Sequence, residues 1–68
     1  MEKVYKIIEV VGCSTTNYDD AIKNAVTEAG KTLKGMAWFE VKEMRGGLKE
    51  GQITEYQAIV RIGFRLID

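Results

Sequence analysis

A chain of 68 residues with one cysteine and no histidine has few ways to stabilise a fold by itself. A domain of this size buries only about 60% of the surface that its unfolded chain exposes. The entropic cost of ordering the chain offsets most of the free energy that this burial contributes. Cys13 has no second cysteine for a disulfide and no histidine with which to bind structural zinc. Association with other copies of the chain is the remaining way to stabilise the fold. We therefore predict an oligomer whose subunit is one domain spanning residues 1–68.

The charge balance limits the partners that such a domain would have. Ten Lys and Arg residues match ten Asp and Glu residues, whereas a nucleic-acid-binding domain carries a basic excess. No apolar run approaches the roughly 18 residues of a membrane span, and charges occupy the N-terminal segment where a signal peptide would have its apolar core. A lone thiol fits a reducing compartment. We therefore expect a cytoplasmic protein without nucleic-acid or membrane partners.

Three segments have the composition of β-strands. Residues 4–11 are rich in valine, isoleucine and tyrosine, and Gly12 is expected to end this strand. Residues 36–44 and 53–67 contain no proline, and the glycine-rich segment 46–51 between them predicts a turn. The last two strands are therefore expected to form an antiparallel hairpin.

Between the first two strands, apolar residues recur at helical spacing over residues 18–34. Asn17 is the favoured N-cap, and a cap at Thr16 is the alternative. Gly30 lies inside this span, where it costs about 1 kcal/mol relative to alanine. Gly35 is expected to end the helix in the left-handed conformation.

These elements define an α+β fold in the order β-α-β-β, with a three-stranded antiparallel sheet and one helix. A single helix can cover only one face of the sheet, so the other face must meet solvent or another subunit. Alternation along the third strand predicts which side is covered, because one side is entirely apolar or aromatic. The residues expected under the helix are Tyr56, Ala58, Val60, Ile62, Phe64 and Leu66.

The opposite side of the sheet is mixed and polar, and Trp38 is predicted to lie on it. Phe39 and Val41 form the better core face of the second strand, so Trp38 and Met44, which have the other parity, point away from the helix. Trp38 then shares a side with Gln57. An indole offers a flat π surface, and a glutamine amide both donates and accepts hydrogen bonds. Two interpretations remain open: a platform for a planar heterocycle, and an anchor in a subunit interface.

Four segments, in order along nearly the whole chain, resemble one known family. The sequence WFEVKEMRG at residues 38–46 resembles the second-strand motif of the dodecins, which are small flavin-binding proteins. Residues 4–6 and 9–12 resemble the first strand, and residues 20–22 open a helix of similar length. The third-strand motif is matched by EYQ at residues 55–57 and GFRL at residues 63–66.

The resemblance implies a sheet partly wrapped around one helix and a hollow homododecamer. It implies that FMN or riboflavin stacks between the tryptophans of neighbouring subunits at the two-fold axes. Trp38 matches that tryptophan, and Gln57 matches the glutamine that hydrogen-bonds the polar edge of the flavin. Arg45 matches a basic residue near the flavin, which would bind the phosphate of FMN.

The resemblance also implies a second ligand and a role. Some dodecins hold coenzyme A near the three-fold axes, and Lys3, Tyr5, Lys34 and Arg65 fall in the corresponding regions. The implied role is flavin storage and sequestration with photoprotective quenching.

Catalysis is not expected, because no histidine and no paired nucleophile and base are present. The alternative is a structural or interaction oligomer without flavin, in which Trp38 anchors an interface. No spacing of residues specifies a metal site.

Overall fold

The computed structural model describes residues 2–67 and the side chains of residues 2–66, so the two ends of the predicted domain, residues 1 and 68, lie outside the described residues. The elements are β1 (Val4–Ser14), α1 (Tyr18–Gly30), β2 (Met36–Lys49) and β3 (Gln52–Ile67). The strands form one antiparallel sheet in the order β1-β3-β2. The predicted α+β fold with β-α-β-β order is confirmed.

The core lies between α1 and the central strand β3. The buried side chains are Ala21, Ala25, Ala58, Val60 and Ile62. The apolar side of β3 was predicted to lie under the helix, and its middle does so. Its end does not, since Leu66 is exposed. The reason is length: a helix of 13 residues spans about 20 Å, whereas a strand of 16 residues spans about 53 Å.

The approach of α1 to the sheet depends on Gly12. A Cβ atom at Gly12 would collide with the carbonyl oxygen of Ala21 and with the Cβ of Ala25. The prediction that Gly12 ends the first strand is wrong, because β1 continues to Ser14. The glycine serves a close approach of helix and sheet inside the strand, and it leaves the strand unbroken.

The start of α1 agrees with the predicted cap. The Asn17 side chain accepts a hydrogen bond from the backbone N–H of Asp20 at 2.7 Å, as an N-cap residue does. The buried Ser14 hydroxyl donates to the Asp20 carboxylate at 2.8 Å and accepts from the backbone N–H of Thr16 at 2.9 Å. These bonds connect the end of β1 to the first turn of the helix.

The end of α1 differs from the prediction. The helix stops at Gly30 and does not reach residue 34, so Lys34 lies in the connection to β2. The N–H groups of Thr32 and Leu33 both donate to the carbonyl of Ala29, which closes the last turn. Gly30 has low helix propensity, and the apolar stripe that faces the sheet ends near this point. Gly35 does adopt the left-handed conformation, with φ of 76°, but it lies five residues beyond Gly30, the last residue of the helix.

The hairpin between β2 and β3 is longer than predicted. The strand β2 continues through Gly46 and Gly47 to Lys49, and the turn consists of Glu50 and Gly51. Both turn residues have positive φ, 52° and 77°, which is the conformation of a two-residue type I′ hairpin loop. The two glycines lie inside the strand, and a Cβ at either position would press on Glu55.

Candidate functional site

The indole of Trp38 lies on the face of the sheet that α1 does not cover, which we call the open face. Ile62 is buried under the helix, and successive residues of a strand lie on opposite faces, so Gly63 lies on the open face. Trp38 pairs with Gly63 and therefore lies on the open face as well. The predicted orientation of Trp38, away from the helix, is confirmed.

The absence of a side chain at Gly63 decides how this indole lies. A Cβ atom there would overlap the ring atoms Cε2 and Cζ2 of Trp38, so the ring rests on the backbone of β3. Trp38 nevertheless remains 42% exposed. A ring supported by the sheet and still exposed can stack on a planar ligand or a second aromatic side chain.

A second polar group lies toward the hairpin end of the open face, and it contains Gln57 and Arg45. The Arg45 Nε atom donates to Gln57 Oε1 at 2.9 Å. Gln57 Nε2 donates to Glu55 Oε2 at 2.7 Å. The structure therefore brings together two of the three residues that match flavin contacts in the dodecins, and adds a carboxylate.

Arg45 reaches this face only because β2 contains an irregularity. By simple alternation Arg45 would share the helix side with Val41. The register shifts between Val41 and Glu43, after which Arg45 pairs with Gln57 and Met44 pairs with Ala58. The prediction that Met44 lies on the side of Trp38 is therefore wrong, because an extra residue in one strand reverses the faces beyond it.

Trp38 and Gln57 share the open face, but one protomer does not bring them into contact. Gly63, which pairs with Trp38, lies six positions beyond Gln57 in β3, a separation of about 20 Å along the strand. A ligand small enough to lie on the indole cannot reach the amide of the same chain.

The region between these two parts of the open face carries a cluster of ion pairs across all three strands. Lys42 Nζ lies 3.1 Å from Glu9 Oε2. Arg61 lies 3.2 Å from Glu40 and 3.7 Å from Glu9. All four side chains remain partly exposed, so the cluster is screened by solvent.

Three of the four residues matched to coenzyme A sites come together at the other end of the sheet. Tyr5 of β1 pairs with Arg65 of β3. Tyr5, Lys34 and Arg65 line an open cavity of about 480 Å³. Lys3 is exposed and does not line this cavity.

Two further observations concern residues 2–67. No group of three or more cysteine, aspartate or glutamate side chains in this range could hold a metal ion. No helix in this range is long and apolar enough to cross a membrane.

Sequence reasoning did not identify Gly63 and Glu55 as parts of the site. A glycine inside a strand often marks a close approach, which was a usable signal for Gly63. The hydrogen bond of Glu55 to Gln57 had a weaker signal, namely that residues two apart in a strand share a face.

The fold and the open face define a class of protein: a small α+β subunit in which a helix covers one face of a three-stranded antiparallel sheet and the other face displays an exposed indole. The dodecin family profile matches residues 4–67. A dodecin of Thermus thermophilus is 48% identical over 66 residues, which cover 97% of this chain and 96% of the relative. The chain therefore belongs to the dodecin family.

Solved structures agree with this assignment. A crystal structure of a Thermus thermophilus protein is 46% identical, covers 98% of both chains and has a TM-score of 0.91. The dodecin of Streptomyces davaonensis is 40% identical, with full coverage of both chains and a TM-score of 0.92. Dodecins of this fold are dodecamers.

Proposed function

We propose that this protein is a homododecamer that binds FMN or riboflavin, stores it and shields it from light, without catalysing a reaction. The observation that carries this proposal is the indole of Trp38, which rests on Gly63 and is 42% exposed in the protomer. An aromatic ring that is supported by the sheet and still exposed is a suitable platform for a flat heterocycle.

Stacking supplies the main binding energy. An aromatic side chain stacked on a nucleobase contributes about 1–3 kcal/mol, and an isoalloxazine ring offers a larger face. A two-fold axis beside Trp38 brings a second indole into the same column, so that each flavin is covered on both faces. The separation of about 20 Å between Trp38 and Gln57 supports this arrangement, because a neighbouring subunit must bring the amide to the ring.

Polar groups then select the ligand. Gln57 hydrogen-bonds the edge of the ring, and Arg45 uses only its Nε atom on Gln57, which leaves its two terminal nitrogens for a phosphate. Riboflavin has no phosphate, so this arrangement favours FMN over riboflavin.

A covered flavin is suited to storage and unsuited to turnover. Tryptophan in contact with the ring donates an electron to its excited state, and the excitation decays without fluorescence or photochemistry. The same contact excludes a second substrate from the ring face. We expect no aerobic oxidation of a reduced nicotinamide cofactor above that of free flavin.

The cavity beside Tyr5 supports a second ligand, coenzyme A. Lys34 and Arg65 place two cations for its phosphates, and Tyr5 offers an aromatic face to its adenine. Lys3 would extend this basic region from outside the cavity.

We also propose that this flavin-storing protein is cytoplasmic, because an exposed thiol such as that of Cys13 fits a reducing compartment.

Substitution of Trp38 tests the proposal. Trp38→Ala is expected to weaken FMN binding by about 5- to 150-fold, the equivalent of one stacking contact, and to abolish most of the fluorescence quenching. Trp38→Phe should give intermediate quenching, since it retains a smaller aromatic face. The measurements are fluorescence titration and native mass spectrometry, which reports both the subunit count and the bound ligand mass.

Tyr5→Leu provides the matched control, because Tyr5 is another exposed aromatic residue on the open face. This variant should bind and quench FMN as the parent does, and should lose coenzyme A. A dodecamer that takes up no FMN would instead favour the alternative function, in which Trp38 is an interface anchor. Unchanged quenching in Trp38→Ala would exclude the stacking mechanism.

A further inference from the structure

We propose that Glu55 is a positioning residue of the flavin site, which fixes the orientation of the Gln57 amide. The proposal deepens the flavin-binding function and rests on it. Its basis is the linear hydrogen-bonded arrangement Arg45–Gln57–Glu55 on the open face, in which the amide lies between a cation and an anion.

The charges at the two ends permit only one orientation of the amide. A guanidinium group can only donate, so it requires the carbonyl oxygen Oε1, which lies 2.9 Å from Arg45 Nε. A carboxylate can only accept, so it requires the NH₂ group, which lies 2.7 Å from Glu55 Oε2. Turning the amide over would place donor against donor and acceptor against acceptor. Both hydrogen bonds would be lost, and both involve a charged group.

The backbone places Glu55 where it can do this. Glu55 and Gln57 are two residues apart in β3 and so share the open face. Glu55 pairs with Gly47, where a Cβ would approach the Glu55 Cγ to 3.3 Å and the Thr54 hydroxyl to 2.8 Å. The glycine leaves the carboxylate side chain free to turn along the strand toward the amide.

An amide held in this way presents a fixed pattern to a ligand. One lone pair of Oε1 and one N–H of Nε2 remain, side by side. This pair complements a ring edge in which an N–H adjoins a carbonyl, as in the imide edge of the isoalloxazine ring. Without Glu55 only the hydrogen bond from Arg45 would hold the amide, so the amide would rotate more freely about its last torsion and part of its hydrogen-bonding energy would be lost to ordering.

Discrimination between two ligands tests the assignment. FMN has the imide N–H, and its N3-methyl derivative does not. The parent protein should prefer FMN by about tenfold or more, the value of one well-placed hydrogen bond. In Glu55→Ala the preference should fall to about threefold or less, while Glu55→Gln, whose side-chain carbonyl still accepts, should retain most of it. Glu43→Ala is the matched control, because Glu43 is an exposed carboxylate on the same face that pairs with Ile59.

A second measurement needs no flavin. In the flavin-free dodecamer, the side-chain NH₂ resonances of Gln57 should be well separated and protected from exchange by the bond to Glu55. Glu55→Ala should bring them together and speed their exchange, and Glu43→Ala should not.

The outcomes separate the two proposals. Unchanged Gln57 resonances in Glu55→Ala, or an undiminished preference for FMN in that variant, would overturn the role of Glu55. Failure of the parent protein to take up any flavin would overturn the proposed function, and the resonances alone would then decide whether Glu55 fixes the amide.

Discussion

Strand β3 has two faces, and they are completed in different ways. On the covered face Ala58, Val60 and Ile62 are buried by the helix of the same chain. On the open face β3 presents Gln57, Ile59, Arg61 and Gly63, next to exposed apolar and aromatic side chains. Those exposed side chains are Tyr5, Ile7, Val11 and Trp38. The covered face holds the protomer together, and the open face carries the groups that we propose to bind flavin.

The covered face and the open face each contain one glycine that permits a close approach. Gly12 admits the backbone of α1 to the covered face, and Gly63 admits the indole of Trp38 to the open face. The neighbour of Gly12 is part of a rigid helix, whereas the neighbour of Gly63 is a side chain that can rotate. Close approach thus serves packing on one face and, in the function that we propose, ligand binding on the other.

Shortening one isoleucine on each face should give the largest contrast. Ile62→Ala is expected to lower the free energy of unfolding by about 2–5 kcal/mol, because Ile62 is fully buried and truncation leaves a cavity. Ile7→Ala should cost only about 1 kcal/mol, because Ile7 is already 40% exposed. Chemical denaturation at one fixed protomer concentration measures both. Equal losses would break the contrast and show that a neighbouring subunit buries the open face around Ile7.

Adding one methyl group to each glycine should give the next largest effect. Gly12→Ala is expected to destabilise the protomer by about 1–3 kcal/mol, because the helix backbone must move. Gly63→Ala should change stability by less than about 1 kcal/mol but weaken FMN binding by about tenfold, because the indole is displaced. Denaturation and fluorescence titration of both variants provide the test. A Gly63→Ala protein that binds FMN like the parent would show that the ring does not need its place on β3.

Removing charge from the open-face ion cluster should have the smallest effect. Arg61→Gln is expected to cost about 0–1 kcal/mol, because the pairs to Glu9 and Glu40 are partly exposed. The difference from the parent should shrink in 1 M salt, where the Debye length is about 3 Å. Thermal unfolding at low and high salt measures it. A loss above 2 kcal/mol that salt does not reduce would mean that assembly buries the cluster.

Much of the fold was predictable because its signals are local. The period-two alternation of β3 identified the covered face, and the polar cluster around Asn17 identified the start of α1. The helix end was misplaced because the same residues favour helix as far as Lys34, while the packing that stabilises α1 stops earlier. The strand end was misplaced at Gly12 because a glycine that breaks a strand and one that admits a helix look alike in sequence.

The sequence by itself determined the order of the elements, the apolar side of the central strand and the outward direction of the indole, since each follows from residues a few positions apart. Only the tertiary structure decided that Arg45 meets Gln57, that Glu55 holds the same amide, and that Trp38 lies about 20 Å away from them. The bond between Gln57 and Glu55 is made within β3, whereas the other two relations depend on which residues pair across strands, and the meeting of Arg45 with Gln57 depends also on the irregularity between Val41 and Glu43. Pairing between distant segments is set by the packing of the whole sheet, and no local pattern encodes it.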